Sequence, residues 1–203
     1  MATAMDITAE LVKKLRDATG AGMMECKKAL VEAKGNLDEA VTILRKQGLA
    51  QATKKAGRST NEGMIGHYIH MNGRIGVLVE VNCESDFVAR TEDFQNLTRE
   101  VAMHIAAANP TYVRREDVPA DVLDRERGIY RAQMEGQNKP DAVLQKIVEG
   151  KLNSFYEQVC LLDQPSIRDP KVTIGQVLQQ AIAKLGENIA IPRFVRFKLG
   201  ETQ

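Results

Sequence analysis

Residues 63–82 read GMIGHYIHMNGRIGVLVEVN, and the period of this stretch decides the fold. Two β-rich runs flank Asn72-Gly73, the dipeptide that most readily takes the positive backbone angles of a two-residue hairpin turn. On the second run Ile75, Val77, Val79 and Val81 share one face, while Gly76, Leu78, Glu80 and Asn82 share the other. One face of this hairpin therefore belongs to a core. The ending, IAIPRFVRFKL over residues 189–199, alternates again, with Ile189, Ile191, Val195, Phe197 and Leu199 on one side. It is expected to join the hairpin in an antiparallel sheet, with Pro192 at an edge or bulge because proline cannot donate to a ladder.

On the N-terminal side of the hairpin the period is helical. Leu11, Leu15 and Ala18 form one stripe, Met23, Cys26 and Leu30 a second, and Leu37, Ala40, Val41 and Leu44 a third. Gly20 and Gly22 separate the first two, Gly35 ends the second, and Asn36 is placed to cap the third. Three short amphipathic helices can bury their stripes only against one another. Residues 1–48 thus read as a three-helix domain, residues 49–62 (LAQATKKAGRSTNE) as a linker helical at most at its start, and residues 63–203 as an α+β core.

Within that core Phe94, Leu97, Val101, Ile105 and Ala108 predict a helix capped by Thr91 and closed by Pro110. A further helix is expected near Asp121 to Glu135. Another starts with Pro140 as its first helical residue and carries Val143, Leu144, Ile147, Leu152 and Phe155, and a last one is capped by Thr173 and stopped by Gly186. The fold class is α+β, with a three-stranded antiparallel sheet packed with helices.

Composition narrows the function. The chain has 203 residues, 43% of them hydrophobic and 27% charged, with a formal net charge of +1, so no electrostatic excess points to direct nucleic-acid or membrane binding. A protein partner fits this balance better. Three cysteines form no disulfide framework, and MATAMDITAE lacks the pattern of a signal peptide, so the expected location is cytoplasmic. No glycine-rich loop ends in Gly-Lys-Ser/Thr, so the chain is not expected to bind a nucleotide of its own. His67 and His70 lie three apart on a strand and face opposite ways, which argues against a shared metal ion with Cys83, and no metal or cofactor is expected. Cys26, at a core-facing helical position, reads as a small buried hydrophobe.

Two segments carry more than architecture. Residues 19–30 read TGAGMMECKKAL and residues 80–89 read EVNCESDFVA. Both resemble the signature segments of the elongation factor Ts family, in the right order and spacing, and the resemblance continues through residues 66–90, AMHIAAANP and RFVRFKLGE. The second segment has Ser85 where the family usually has Thr, a swap that keeps the hydroxyl. The resemblance implies an N-terminal domain akin to ubiquitin-associated modules and a core of the short, single-module kind. Such a short form would pair into a homodimer, and Val195 stands where some short relatives have a linking cysteine, so that pairing would be noncovalent there.

The resemblance also implies a function. The expected role is that of a non-enzymatic guanine-nucleotide exchange factor that binds elongation factor Tu, both GDP-bound and nucleotide-free. Ser85, Asp86, Phe87 and Val88 would dislocate the partner's Mg²⁺, Met23, Met24 and Lys27 of the N-terminal domain would anchor the partner, and His70 at the hairpin turn would touch its phosphate-binding loop. Read from the residues alone, Phe87 is better taken to cover the edge of the core and Asp86 to cap a turn, while Met24 could be a second core methionine and His70 an idle turn histidine. Two rivals remain at this level. One is an RNA- or ubiquitin-like-binding adaptor, which aromatics at 4% and the small net charge support weakly. The other is a hydrolase using Cys83.

Overall fold

The computed structural model describes residues 7–134 and 140–201. In chain order the elements are α1 (Ala9–Thr19), α2 (Met23–Glu32), α3 (Leu37–Lys55), β1 (Glu62–Ile69), β2 (Ile75–Cys83), α4 (Asp86–Ala89), α5 (Glu92–Ala108), α6 (Ala120–Ala132), α7 (Asp141–Val159), α8 (Ile174–Leu185) and β3 (Ile189–Lys198). The sheet is antiparallel and three-stranded in the order β1-β2-β3, so the terminal strand joins the hairpin on β2 and the class is α+β as expected. The chain forms two compact units. One comprises the chain up to Met64 with Val81–Leu97 and Leu178–Ala190; the other comprises Ile65–Glu80, Thr98–Val177 and the chain from Ile191 onward.

In the first unit, α1 to α3 are set by their ends. The Thr8 hydroxyl accepts from the Leu11 amide at 3.3 Å, and Asn36 Oδ1 accepts from the amides of Asp38 at 3.0 Å and Glu39 at 3.2 Å. Gly20, at φ +68°, closes α1 through its amide on the Arg16 carbonyl at 2.7 Å. Val12, Leu15, Cys26, Ala29, Leu30, Ala33, Ala40 and Leu44 form one buried cluster. Two stripe positions differ from expectation. Ala18 is exposed, because the stripe through Leu15 continues four residues on at Thr19, and Met23 is exposed because it is the first residue of α2, ahead of the turn that packs. The third helix is not short either, since α3 runs to Lys55 and takes up the first half of the expected linker. The end of α8 approaches this module closely. A Cβ on Gly48 would stand 3.3 Å from the Ala183 Cβ, and one on Gly20 would stand 3.2 Å from the Lys184 side chain.

The second unit holds the rest of the hairpin. Gly66 of β1 faces α5 so tightly that an added Cβ would lie 2.2 Å from Thr98 Cγ2, which makes β1's opposite face, with Ile65, His67 and Ile69, the open one. The hairpin loop is longer than two residues. The His70 amide donates to the Ile75 carbonyl at 2.8 Å, which leaves four residues outside the ladder, and Asn72 and Gly73 take positive φ of 65° and 68° within them. The dipeptide supplies the expected angles, while the Gly73 amide bonded to the His70 carbonyl at 3.0 Å closes a β-turn over Met71 and Asn72 inside the longer loop.

The strict alternation expected along β3 breaks at Pro192. Ile189 and Ile191 are buried, but beyond the proline it is Arg196 that turns inward, its Nε donating to the Ala106 carbonyl at 3.3 Å, while Phe197 is 55% exposed. β3 is an edge strand, where a residue without an amide donor is tolerated, and the side of the strand that faces inward changes across Pro192. Pro140 precedes α7 as its cap rather than opening it, and the helix expected to reach Glu135 is α6, which ends at Ala132; Glu135 lies outside the described residues. The expected caps Thr91 and Thr173 accept from the amides of Phe94 at 3.3 Å and Gln176 at 3.2 Å. α6 and α7 pair over Met134, Val148 and Leu152.

One buried group in this unit makes stability pH-dependent. His104 is fully buried, its Nε2 donates to Gln164 Oε1 at 2.9 Å, and that amide's orientation is fixed by its own Nε2 donating to the Gln158 carbonyl at 2.7 Å. Nδ1 has no hydrogen-bond partner among the described residues. Burial pushes the imidazole below its ordinary 6.5, against the opposing pull of Gln164 and Glu100. The unfolded chain accepts this proton at a higher pH than the folded one, so the stabilising contribution is complete above about pH 6.5 and is lost as pH falls through the lowered folded value. Urea midpoints should therefore decline from pH 7 to pH 5, and less steeply in His104→Asn; equal slopes would contradict the assignment.

Candidate partner-docking site

The segment after β2 is a one-turn helix, α4. A four-residue helix is not stable by itself, and none of its residues is buried, so polar bonds at its ends must place it. The Ser85 hydroxyl accepts from the Val88 amide at 3.5 Å, making Ser85 the cap and leaving Asp86 in the first turn. Glu187 binds the entry to the helix. Its Oε2 accepts from the amides of Ser85 at 2.9 Å and Glu84 at 3.1 Å, and its Oε1 accepts from the Ser85 hydroxyl at 2.6 Å. The exit is held by Thr91, whose hydroxyl donates to the Val88 carbonyl at 2.7 Å.

On this pinned turn Phe87 is 76% exposed. It does not cover the core edge. Leaving such a side chain in water forgoes roughly 1.5–3 kcal/mol of burial, which a partner surface can recover. Asp86 is half-exposed and ion-paired with Arg90, four residues on. Exposed pairs of this kind contribute about 0–1 kcal/mol, so a partner's donors can displace Arg90 at little cost. Val88 is half-buried. Cys83, beneath the turn, is fully buried and donates its thiol to the Ser85 carbonyl at 3.1 Å. Burial first, then the nearby Glu187 carboxylate, pushes this thiol up, away from the thiolate a nucleophile needs.

The second set lies on α2. Met24 is 66% exposed, beside exposed Met23, Lys27 and Val31, so it is not a second core methionine. Two adaptable thioethers beside a lysine stem make a surface suited to an apolar groove with acidic borders. Met24, Lys27, Lys28, Val31 and Glu32 line a shallow hollow there. His70 is separate, at the hairpin turn in the other unit, exposed and hydrogen-bonded through Nδ1 to the Tyr68 hydroxyl at 3.2 Å. The structure thus brings Ser85 to Val88 together on one turn and Met23, Met24 and Lys27 on one helix face. Glu187 was missed from sequence, since it lies 102 residues from Ser85 with no motif around it. Among the described residues no group of three or more His, Cys, Asp or Glu side chains can hold a metal ion, and no helix is long and apolar enough to cross a membrane.

Fold and site together define an α+β protein with a three-helix N-terminal module and an exposed aromatic on a short, polar-anchored helix. The family model described as Elongation factor TS matches residues 1–201. Elongation factor Ts of Solibacter usitatus is 58% identical over 98% of this chain and 93% of its own length, and that of Fervidobacterium nodosum is 58% identical over 97% and 100%. Elongation factor Ts of Carboxydothermus hydrogenoformans is 57% identical over 96% of this chain and 90% of its own. The chain belongs to the elongation factor Ts family and has the role of a translation elongation factor.

Proposed function

We propose that the protein is a cytoplasmic guanine-nucleotide exchange factor that catalyses no covalent chemistry. It binds elongation factor Tu carrying GDP, disturbs the partner's Mg²⁺ and phosphate site, and releases GDP so that GTP can bind. The observation that carries this reading is the exposure of Phe87 on a turn whose backbone is fixed at both ends. Mg²⁺ demands near-ideal octahedral oxygen ligands, so a small displacement of its shell weakens the whole phosphate site. A factor that binds the empty GTPase more tightly than the GDP form must, by linkage, weaken GDP by the same factor, and about 3 kcal/mol of coupling corresponds to roughly 150-fold. Phe87 acts as the wedge, Asp86 offers its carboxylate to donors beside the metal, and Ser85 and Val88 frame them. His70 touches the phosphate-binding loop. Following release of fluorescent GDP from elongation factor Tu tests the reading: catalytic amounts of the protein should accelerate it, and no acceleration would overturn it.

Residues 1–48 serve as the anchor through Met23, Met24 and Lys27, with residues 49–62 as connection and residues 63–203 as the exchange and dimerisation core. Met24→Asp should weaken binding to elongation factor Tu by about 2 kcal/mol, roughly 30-fold, because a carboxylate must then be desolvated in an apolar groove. Helical circular dichroism should stay unchanged; undiminished affinity would refute the anchor.

The protein also pairs with a second copy through the open face of the sheet. Ile65, Ile69, Leu78 and Phe197 are exposed on that face, crossed by an ion pair of Arg193 Nε with Glu80 at 2.7 Å. Exposed apolar side chains gathered on one sheet face favour an interaction surface, and a two-fold pairing would set this face against the same face of the second copy. Light scattering at micromolar concentration should give twice the 22.5 kDa chain mass, and Leu78→Asp should return the monomer. A wild-type mass of one chain would contradict the pairing.

A further inference from the structure

We propose that Glu187 is the positioning residue of the wedge, setting where Phe87 stands in the free protein, an inference that rests on the exchange reading of Phe87. The turn bearing Phe87 has no buried side chain, so its place is fixed by hydrogen bonds, and Glu187 supplies three of them from one carboxylate. Bonds from neutral donors to a carboxylate are stronger than neutral pairs, and here they converge on the two residues that enter the turn. Ser85 then passes the constraint on by accepting from the Val88 amide.

The attachment of Glu187 is reciprocated. Glu84 Oε1 accepts from the Asn188 amide at 2.6 Å, and Asn188 Nδ2 donates to the Arg58 carbonyl at 2.9 Å. The strand end before α4 and the chain leaving α8 are thereby clamped to each other from both sides, with Arg58 of the segment after α3 paired to Glu84 at 3.4 Å. Gly186, at φ +78°, turns the chain out of α8 immediately before Glu187. A clamp of this form fixes the direction of the one-turn helix before any partner arrives, so the ordering cost of the exposed phenylalanine is met during folding rather than at binding. Glu187 itself touches neither the nucleotide nor the metal; it acts through Phe87.

The test is a double-mutant cycle on GDP release at saturating protein, with wild type, Glu187→Gln, Phe87→Ala and the double variant. Glu187→Gln keeps the shape but loses the charge and one acceptor oxygen, and should slow release about tenfold. The double variant should be no slower than Phe87→Ala alone. A tenfold loss that persists in the Phe87→Ala background would overturn the proposal, since Glu187 would then act by another route, and so would a Glu187→Gln rate equal to wild type. A Phe87→Ala rate equal to wild type would instead overturn the wedge reading, and this inference with it. Amide hydrogen exchange gives a second readout: protection at Ser85 and Val88 should fall in Glu187→Gln while the core helices keep theirs, and unchanged protection would contradict the positioning role. Should Glu187→Gln fail to fold, Ser85→Ala removes the hydroxyl's bonds to Glu187 and to the Val88 amide, leaves the two backbone amides on Glu187 Oε2, and should slow release with the same dependence on Phe87, an undiminished loss in the Phe87→Ala background again overturning the proposal.

Discussion

Phe87→Ala should slow GDP release from elongation factor Tu about 30-fold while leaving this protein's own unfolding midpoint unchanged. The rate effect follows from the size of a central aromatic contact, typically about 2 kcal/mol or more when truncated, with each 1.4 kcal/mol worth tenfold. The stability half follows from burial. A buried phenylalanine cut to alanine costs about 3–5 kcal/mol, whereas a surface substitution stays within about 0.5 kcal/mol, and Phe87 is the most exposed large apolar side chain among the described residues. A denaturant titration beside the kinetic measurement separates the two. A normal release rate with a lowered midpoint would place Phe87 in the architecture rather than in the mechanism.

The largest stability effect is expected at Gly63, the second residue of β1. Its φ of +143° is a backbone state that side-chain-bearing residues avoid, and a Cβ there would stand 2.2 Å from the Val81 carbonyl oxygen and 2.7 Å from the Asn82 Cα. Both obstacles are backbone of the neighbouring strand β2, so no rotamer change relieves them. Strain and overpacking each cost about 1–3 kcal/mol, and Gly63→Ala should lose about 3 kcal/mol or more in urea. Gly57 provides the control, because nothing lies within 4 Å of its added Cβ and its φ is not positive. Gly57→Ala should change stability by less than about 0.5 kcal/mol. Equal effects at the two positions would contradict the account of the strand junction.

The parts of the fold that were legible in the sequence are those fixed by local chemistry. Asn36, Thr91 and Thr173 cap helices because their side chains reach amides two or three residues on, and the hairpin follows from β-rich runs around Asn72-Gly73. What escaped depends on distant partners. Whether the hairpin loop holds two or four residues depends on where the ladder stops, and the reversal at Pro192 depends on Arg196 finding a carbonyl on α5. The turn Asp86–Ala89 has no helical signature of its own and exists through bonds to Glu187 and Thr91. The candidate site was legible only through resemblance. Nothing in the residues around Phe87 distinguishes an exposed aromatic from one that closes a core, whereas its placement on an unburied turn does.

The central claim is that Phe87 releases GDP by disturbing the partner's Mg²⁺ site, and the most direct measurement compares wild type with Phe87→Ala in GDP release with and without a Mg²⁺ chelator. Once the ion has been removed the wedge has less left to do. The ratio of the wild-type to the Phe87→Ala rate should therefore shrink from about 30 toward unity in chelator. A ratio that stays constant would contradict the account, because Phe87 would then act by a route independent of the metal.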